Sequence, residues 1–158
     1  MNLSVNQCQH LIELAEDIPK SEWLYIDTPN HASYDTVQVS APDDIKYVIQ
    51  NYCKDSLDLE LKNINVGVIR YKKGDKFARH NDYSENNFLY NLNVRLNDSF
   101  EGGEFYLNDE IFNKPVGEIY HYKSTNYHEV KEITNGVRYL ALFYIRETDI
   151  KNKKETLI

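Results

Sequence analysis

His80-Asn81-Asp82 places an imidazole and a carboxylate two residues apart. On an extended segment, side chains at i and i+2 point to the same side, so the two groups can approach one ion together. Imidazole plus carboxylate, with one more imidazole, is the facial triad of non-haem Fe(II) sites, which leaves three coordination positions open. A lone His-x-Asp also reads as an ordinary surface pair, so the chemistry turns on a third ligand. The chain offers His10, His31, His80, His121 and His128. His10 falls on the solvent side of an expected helix, and His31 lies in a polar Pro-Asn-His-Ala-Ser turn. His128 opens an extended segment 48 residues after His80, a distance over which a sheet can close on itself.

Ten residues beyond His128 comes Arg138, at the start of the most apolar strand in the chain, Val-Arg-Tyr-Leu-Ala-Leu-Phe-Tyr-Ile. An arginine within an apolar strand costs free energy unless an anion is paired with it. Alone, it reads as paired with a fixed Asp or Glu, or as pointing to solvent. Beside His80, Asp82 and His128, a bound carboxylate explains it better, because a guanidinium fork fits a carboxylate with two parallel bonds. Tyr71 offers a phenol that could add a bond to the same anion.

The elements that must position these groups fall into two parts. Ser4-Val5-Asn6-Gln7 reads as a capping box, and Leu11, Ile12, Leu14, Ala15 and Ile18 follow at helical spacing, with Val5 and Cys8 extending the stripe. Pro19 ends this helix. Pro42-Asp43-Asp44 starts a second, its acidic first turn favoured by the helix dipole and its apolar face made by Ile45, Val48, Ile49 and Tyr52. Between them, Trp23, Tyr25 and Ile26 begin one strand and residues 34–40 form another. From Asp58 onward the expectation is short strands: 59–61, 66–71, 88–96, 104–107, 118–122 and 137–145. Turns fall at Lys73-Gly74-Asp75, Asn97-Asp98, Gly102-Gly103, Asn113-Lys114-Pro115 and Asn135-Gly136. That pattern argues for a sandwich or barrel. Residues 1–150 read as a single domain, with 1–57 as helical support, 58–146 as the β core and 151–158 as a charged tail.

A chain of 158 residues suffices for one domain with a sizeable core. The net charge of -7 argues against non-specific binding to nucleic acid or anionic membrane. No apolar run approaches a membrane span, and Met1-Asn2-Leu3-Ser4 lacks the charged and apolar regions of a signal peptide. A cytoplasmic location follows as the expectation. Cys8 and Cys53 both fall in expected helices and read as buried, reduced thiols.

The ordered set Tyr71, Gly74, His80-x-Asp82, Phe100-Glu101-Gly102-Gly103-Glu104, Gly117, His128-Glu129-Val130 and Gly136-Val137-Arg138-Tyr139 resembles the prolyl 4-hydroxylase-like branch of the 2-oxoglutarate/Fe(II)-dependent oxygenases. The resemblance implies a mainly β, double-stranded β-helix (jelly-roll) core flanked by N-terminal helices. It implies His80, Asp82 and His128 as iron ligands, and Arg138, helped by Tyr71, as the partner of the distal carboxylate of 2-oxoglutarate. Fe(II), 2-oxoglutarate and O2 come with it, ascorbate as an assay reductant, and hydroxylation of an unactivated C–H bond, foremost of a prolyl residue in a protein or peptide. A free amino acid, another small molecule, or a non-catalytic metal-binding jelly-roll module are the competing readings. Arg95 stands where relatives often carry Tyr, Tyr144 where many have Trp, and Arg138 where collagen-type members have Lys. Loop 82–87 and the stretch before Tyr71 could hold a peptide, and Arg79 and Tyr83 could line the site's mouth or be ordinary surface residues. No separate catalytic acid, base or nucleophile is required.

Overall fold

In the computed structural model, which describes residues 1–83 and 88–152, the Ser4 side chain accepts the Gln7 N–H while Gln7 accepts the Ser4 N–H. That box starts α1 (Val5–Glu16), which buries Cys8, Leu11 and Ala15. Val5, expected in the apolar stripe, is 75% exposed, because it begins the helix beyond the edge of the packed face. Helix α2 (Asp43–Leu57) buries Ile45, Ile49, Tyr52 and Cys53.

The strands are β1 (Leu24–Thr28), β2 (Ala32–Val39), β3 (Val66–Tyr71), β4 (Lys76–His80), β5 (Phe88–Arg95), β6 (Phe100–Gly102), β7 (Phe105–Leu107), β8 (Glu110–Ile111), β9 (Ile119–Lys123), β10 (His128–Val130), β11 (Ile133–Gly136) and β12 (Arg138–Arg146). One antiparallel sheet runs β8-β7-β10-β4-β2-β3-β12-β5-β9, with β1 on β2, and β11 pairs β6 separately. Residues 1–57 supply both helices and the two strands expected between them, and β2 sits mid-sheet. The sheet curls into a jelly roll. Asp82, just after β4, takes a hydrogen bond from Asn91 on β5 and donates its N–H to Ser124 just after β9, although β2, β3 and β12 lie between β4 and β5 in the sheet.

Two expectations fail locally. Residues 59–61 form no strand, only a Leu61–Ile150 bridge, because their backbone is spent on the α2 terminus (Leu59 N–H to Cys53 O) and on the segment near Ile150 (Lys151 N–H to Glu60 O). Asn135-Gly136 is not a turn but the end of β11 against β6, with Gly136 at φ 75° absorbing the bend into β12. A side chain on Gly136 would strike Phe100 and Ser99.

Period-two alternation divides the interior. On β12, Ala141, Phe143 and Ile145 face the helices, while Leu140, Leu142 and Tyr144 face the inside of the roll. On β3, Val66 and Val68 face the helices, and Ile69 and Tyr71 face inward. The helices therefore seal one side of the sheet and leave the concave side for the site. None of the described helices is long and apolar enough to cross a membrane.

Candidate metal centre and anion pocket

The β4–β10 register sets His80 directly opposite His128. Asp82 lies two residues beyond the end of β4, held by its own N–H on Ser124 O at 2.9 Å. The three side chains meet. Asp82 Oδ1 is 3.7 Å from His80 Nε2, and Oδ2 is 3.4 Å from His128 Nε2. One ligand atom from each lies within 4.8 Å of the others.

Each imidazole is oriented from behind. His80 Nδ1 is 2.7 Å from Ala78 O and His128 Nδ1 is 3.2 Å from Asn126 O. A carbonyl can only accept, so each Nδ1 carries a proton and each Nε2 is the ring nitrogen turned toward Asp82. Phe77 stacks on His80 at 3.6 Å between ring centroids, and Tyr122 packs on His128 at 4.8 Å. Burial, with His80 alongside, holds the His128 imidazole below its ordinary range against the opposing pull of Asp82. It is therefore neutral at pH 7, the form that ligates a metal. Asn91, 1% exposed, donates Nδ2 to Asp82 Oδ2 at 2.7 Å and fixes the carboxylate's plane.

Deeper in the roll, the β12–β3 register puts Arg138 opposite Tyr71, each 2% exposed. The Arg138 guanidinium carbon lies 5.6 Å from the Tyr71 ring centroid and 6.0 Å from that of Phe100. Its Nε and Nη1 are buried without a hydrogen-bond partner among the described residues. Burial raises the Tyr71 phenol far above its ordinary range, against the pull of Arg138, so it stays a donor. Gly103, at φ 67°, leaves room beside Arg138 Cδ and shares with it a cavity of about 190 Å³.

Sequence reasoning missed the polar inner face of β5. Asn91, Asn93 and Arg95 point into the roll, while Leu92 and Val94 face the helices. The Tyr122 phenol faces Asn91 and Asn93, yet among the described residues no well-formed hydrogen bond reaches either end of the Asn93 amide or the Asn91 carbonyl. The alternation Asn-Leu-Asn-Val-Arg was the available signal, since a strand closed on both sides has no solvent face for polar residues.

His121 does not join the metal group. Its parity on β9 turns it toward α2, where Nδ1 lies 2.6 Å from the Tyr52 hydroxyl. His31 is exposed, with its ring edge-on to Phe77. Arg79 is bound to Asp109 at 2.6 and 3.1 Å and lies over Tyr127. Tyr83, 68% exposed, stands beside Asp82. Of the expected loop 82–87, residues 84–87 lie outside the described residues, as do 153–158 of the expected tail.

The family model described as the 2OG-Fe(II) oxygenase superfamily matches residues 66–146. These residues make up just over half of the chain, and it belongs to that superfamily. Among solved structures it is similar to a Pseudomonas putida prolyl-4-hydroxylase, with a TM-score of 0.71 and 16% identity over 92% of this chain and 89% of that one. It is also similar to an oxidoreductase of the 2OG-Fe(II) oxygenase family from Burkholderia pseudomallei (TM-score 0.68, 14% identity, 92% and 81% covered). A third is a Trichoplax adhaerens prolyl hydroxylase in complex with a hypoxia inducible factor oxygen degradation domain peptide fragment (TM-score 0.63, 17% identity, 91% and 77% covered). At these identities the likeness is one of fold. No curated protein sequence matches this one.

Superfamily membership makes the protein an oxidoreductase that uses Fe(II), 2-oxoglutarate and O2. The residues present fit those groups. Two imidazoles and a carboxylate converge without a fourth protein donor among the described residues, and His80, Asp82 and His128 could form the iron site. Arg138, with Nε and Nη1 buried and unpartnered among the described residues, is placed to receive an anion.

Proposed function

We propose that this chain, as one oxygenase domain over residues 1–150, hydroxylates a C–H bond of a prolyl residue in a peptide or protein. The observation that carries the oxygenase chemistry is the pairing of two incomplete sites in one roll. His80, Asp82 and His128 are a three-donor cluster, and Arg138 is a buried cation whose Nε and Nη1 have no hydrogen-bond partner among the described residues. Support for a prolyl substrate comes from the P. putida and T. adhaerens neighbours, the second of which holds a peptide. Tyr83, exposed beside Asp82, offers a ring next to the metal cluster on which a peptide can pack.

The residues divide the work. His80 and His128 offer Nε2 lone pairs and Asp82 a carboxylate to the iron, while Asn91 and the two backbone carbonyls hold those donors in place. Arg138 and the Tyr71 hydroxyl take the distal carboxylate of 2-oxoglutarate. Phe105, Tyr120 and Tyr122 wall the interior and keep water out. Bound iron with its cosubstrates supplies the oxidising power, converting 2-oxoglutarate and O2 to succinate and CO2 and leaving one oxygen atom for the substrate C–H bond.

The test is incubation of the protein with Fe(II), 2-oxoglutarate, ascorbate, O2 and a panel of proline-rich peptides, reading succinate and peptide mass together. Peptide-stimulated succinate with one oxygen atom gained on proline is the expected result. Succinate formation that no peptide stimulates, but a free amino acid does, would move the substrate to small molecules.

A further inference from the structure

We propose that Arg95 is a second binding residue for the distal carboxylate of 2-oxoglutarate, closing on it with Arg138 as a two-guanidinium clamp. The inference rests on the oxygenase reading and names a residue that the resemblance leaves open, since relatives often carry Tyr there.

The β5–β12 register pairs Arg95 with Leu140, and Arg138 lies two residues before Leu140 on the same inward face. Arg95 and Arg138 are thus diagonal neighbours on one face, within reach of long side chains. Both line the cavity of about 190 Å³, with Tyr120, Phe105 and Gly103. Among the described residues, Arg95 Nε is buried without a hydrogen-bond partner, as are Nε and Nη1 of Arg138.

Acidic neighbours do not explain the pair. Asp98 and Glu104 line the same cavity, yet neither forms an ion pair with Arg95 or Arg138 among the described residues. Lys114, also at the cavity, is taken by Glu118 at 3.2 Å. Arg70 and Arg79, by contrast, each bind a carboxylate. Two adjacent guanidinium groups repel unless an anion lies between them. A carboxylate has about four lone-pair sites. One fork on one edge leaves room for a second donor, and Arg95 is placed to be that donor. A phenol in its place would give a single neutral bond, whereas Arg95 gives a charged one.

The test uses Mn(II)-loaded protein, titrated in a calorimeter with 2-oxoglutarate and with 2-oxobutyrate. The second acid keeps the 2-oxo acid end and lacks the distal carboxylate. Arg95→Ala is expected to weaken 2-oxoglutarate binding by about 10-fold or more and to leave 2-oxobutyrate within about twofold, which also shows that the variant is folded. Arg95→Lys, a point charge without the fork, is expected to fall between. Equal 2-oxoglutarate binding by wild type and Arg95→Ala, or equal weakening of both acids, would overturn the clamp and leave the oxygenase reading standing. Wild-type protein that binds neither acid would overturn that reading and the clamp with it.

Discussion

Asn91→Ala isolates the group that aims the metal carboxylate. Asn91 Nδ2 donates to Asp82 Oδ2 at 2.7 Å, and the same oxygen lies 3.4 Å from His128 Nε2. Without that bond the carboxylate is free to rotate away from the imidazoles. A hydrogen bond to a charged group contributes about 1.5–3 kcal/mol, and loss of a partner behind a metal ligand weakens metal binding by about 10- to 100-fold. The two ranges agree, since each factor of ten is about 1.4 kcal/mol. Asn93→Ala is the control. It removes a buried amide two residues away, on the same face, that does not touch Asp82. The assay is Mn(II) affinity by electron paramagnetic resonance, with thermal unfolding of each metal-free variant alongside. Asn91→Ala is expected to lose about 10- to 100-fold in affinity, and Asn93→Ala to stay within about twofold. Equal Mn(II) affinity in Asn91→Ala and wild type, or equal losses in the two variants, would refute the positioning role.

Arg138→Leu should separate stability from binding. Replacing an unpartnered buried cation with an apolar group is expected to leave the ligand-free protein as stable or more stable, by up to about 4 kcal/mol. It should weaken 2-oxoglutarate by about 100-fold, read by melting with and without the cosubstrate. Burial pushes the Cys8 thiol up to about 11 and the Cys53 thiol up to about 12. A raised folded value favours the neutral thiol, so its contribution to stability is present below the ordinary thiol range and is lost only as pH rises through those values. Neither cysteine of the native protein should react with an aromatic disulfide reagent at pH 8, and both should react after denaturation. Ser4→Ala removes the α1 cap and should cost about 0.5–2 kcal/mol, measured by urea unfolding.

The fold was legible where local signals are strong. Ser4 and Gln7 announce α1 by side-chain chemistry within one turn, and the long apolar run from Arg138 forms the strand joining β3 to β5. Two of the shortest strands were not legible. β8 has two residues and β6 has three, too few to show a period, whereas β7 and β10 fall within the expected strand 104–107 and the expected extended segment at His128. Leu59-Glu60-Leu61 alternates like a strand, but its backbone groups go to α2 and the segment near Ile150. Of the candidate site, the residue types that name themselves chemically were visible: His80, Asp82, His128 and Arg138 are the ones that the structure brings together or buries. Asn91 and Asn93 were not, and Arg95 was legible only as a departure from the Tyr of relatives, because which face of β5 is the inside depends on the sheet curling over β4. His121 was set apart by parity, which sequence could not fix until the β9 register with β5 was known.

The central claim is that His80, Asp82 and His128 hold the iron that turns over 2-oxoglutarate. Its most direct test is succinate formed from 2-oxoglutarate with Fe(II), ascorbate and O2 by wild type and by His128→Ala, each first shown by circular dichroism to be folded. The account expects succinate from wild type and none above background from His128→Ala. Equal turnover by the two proteins would contradict it.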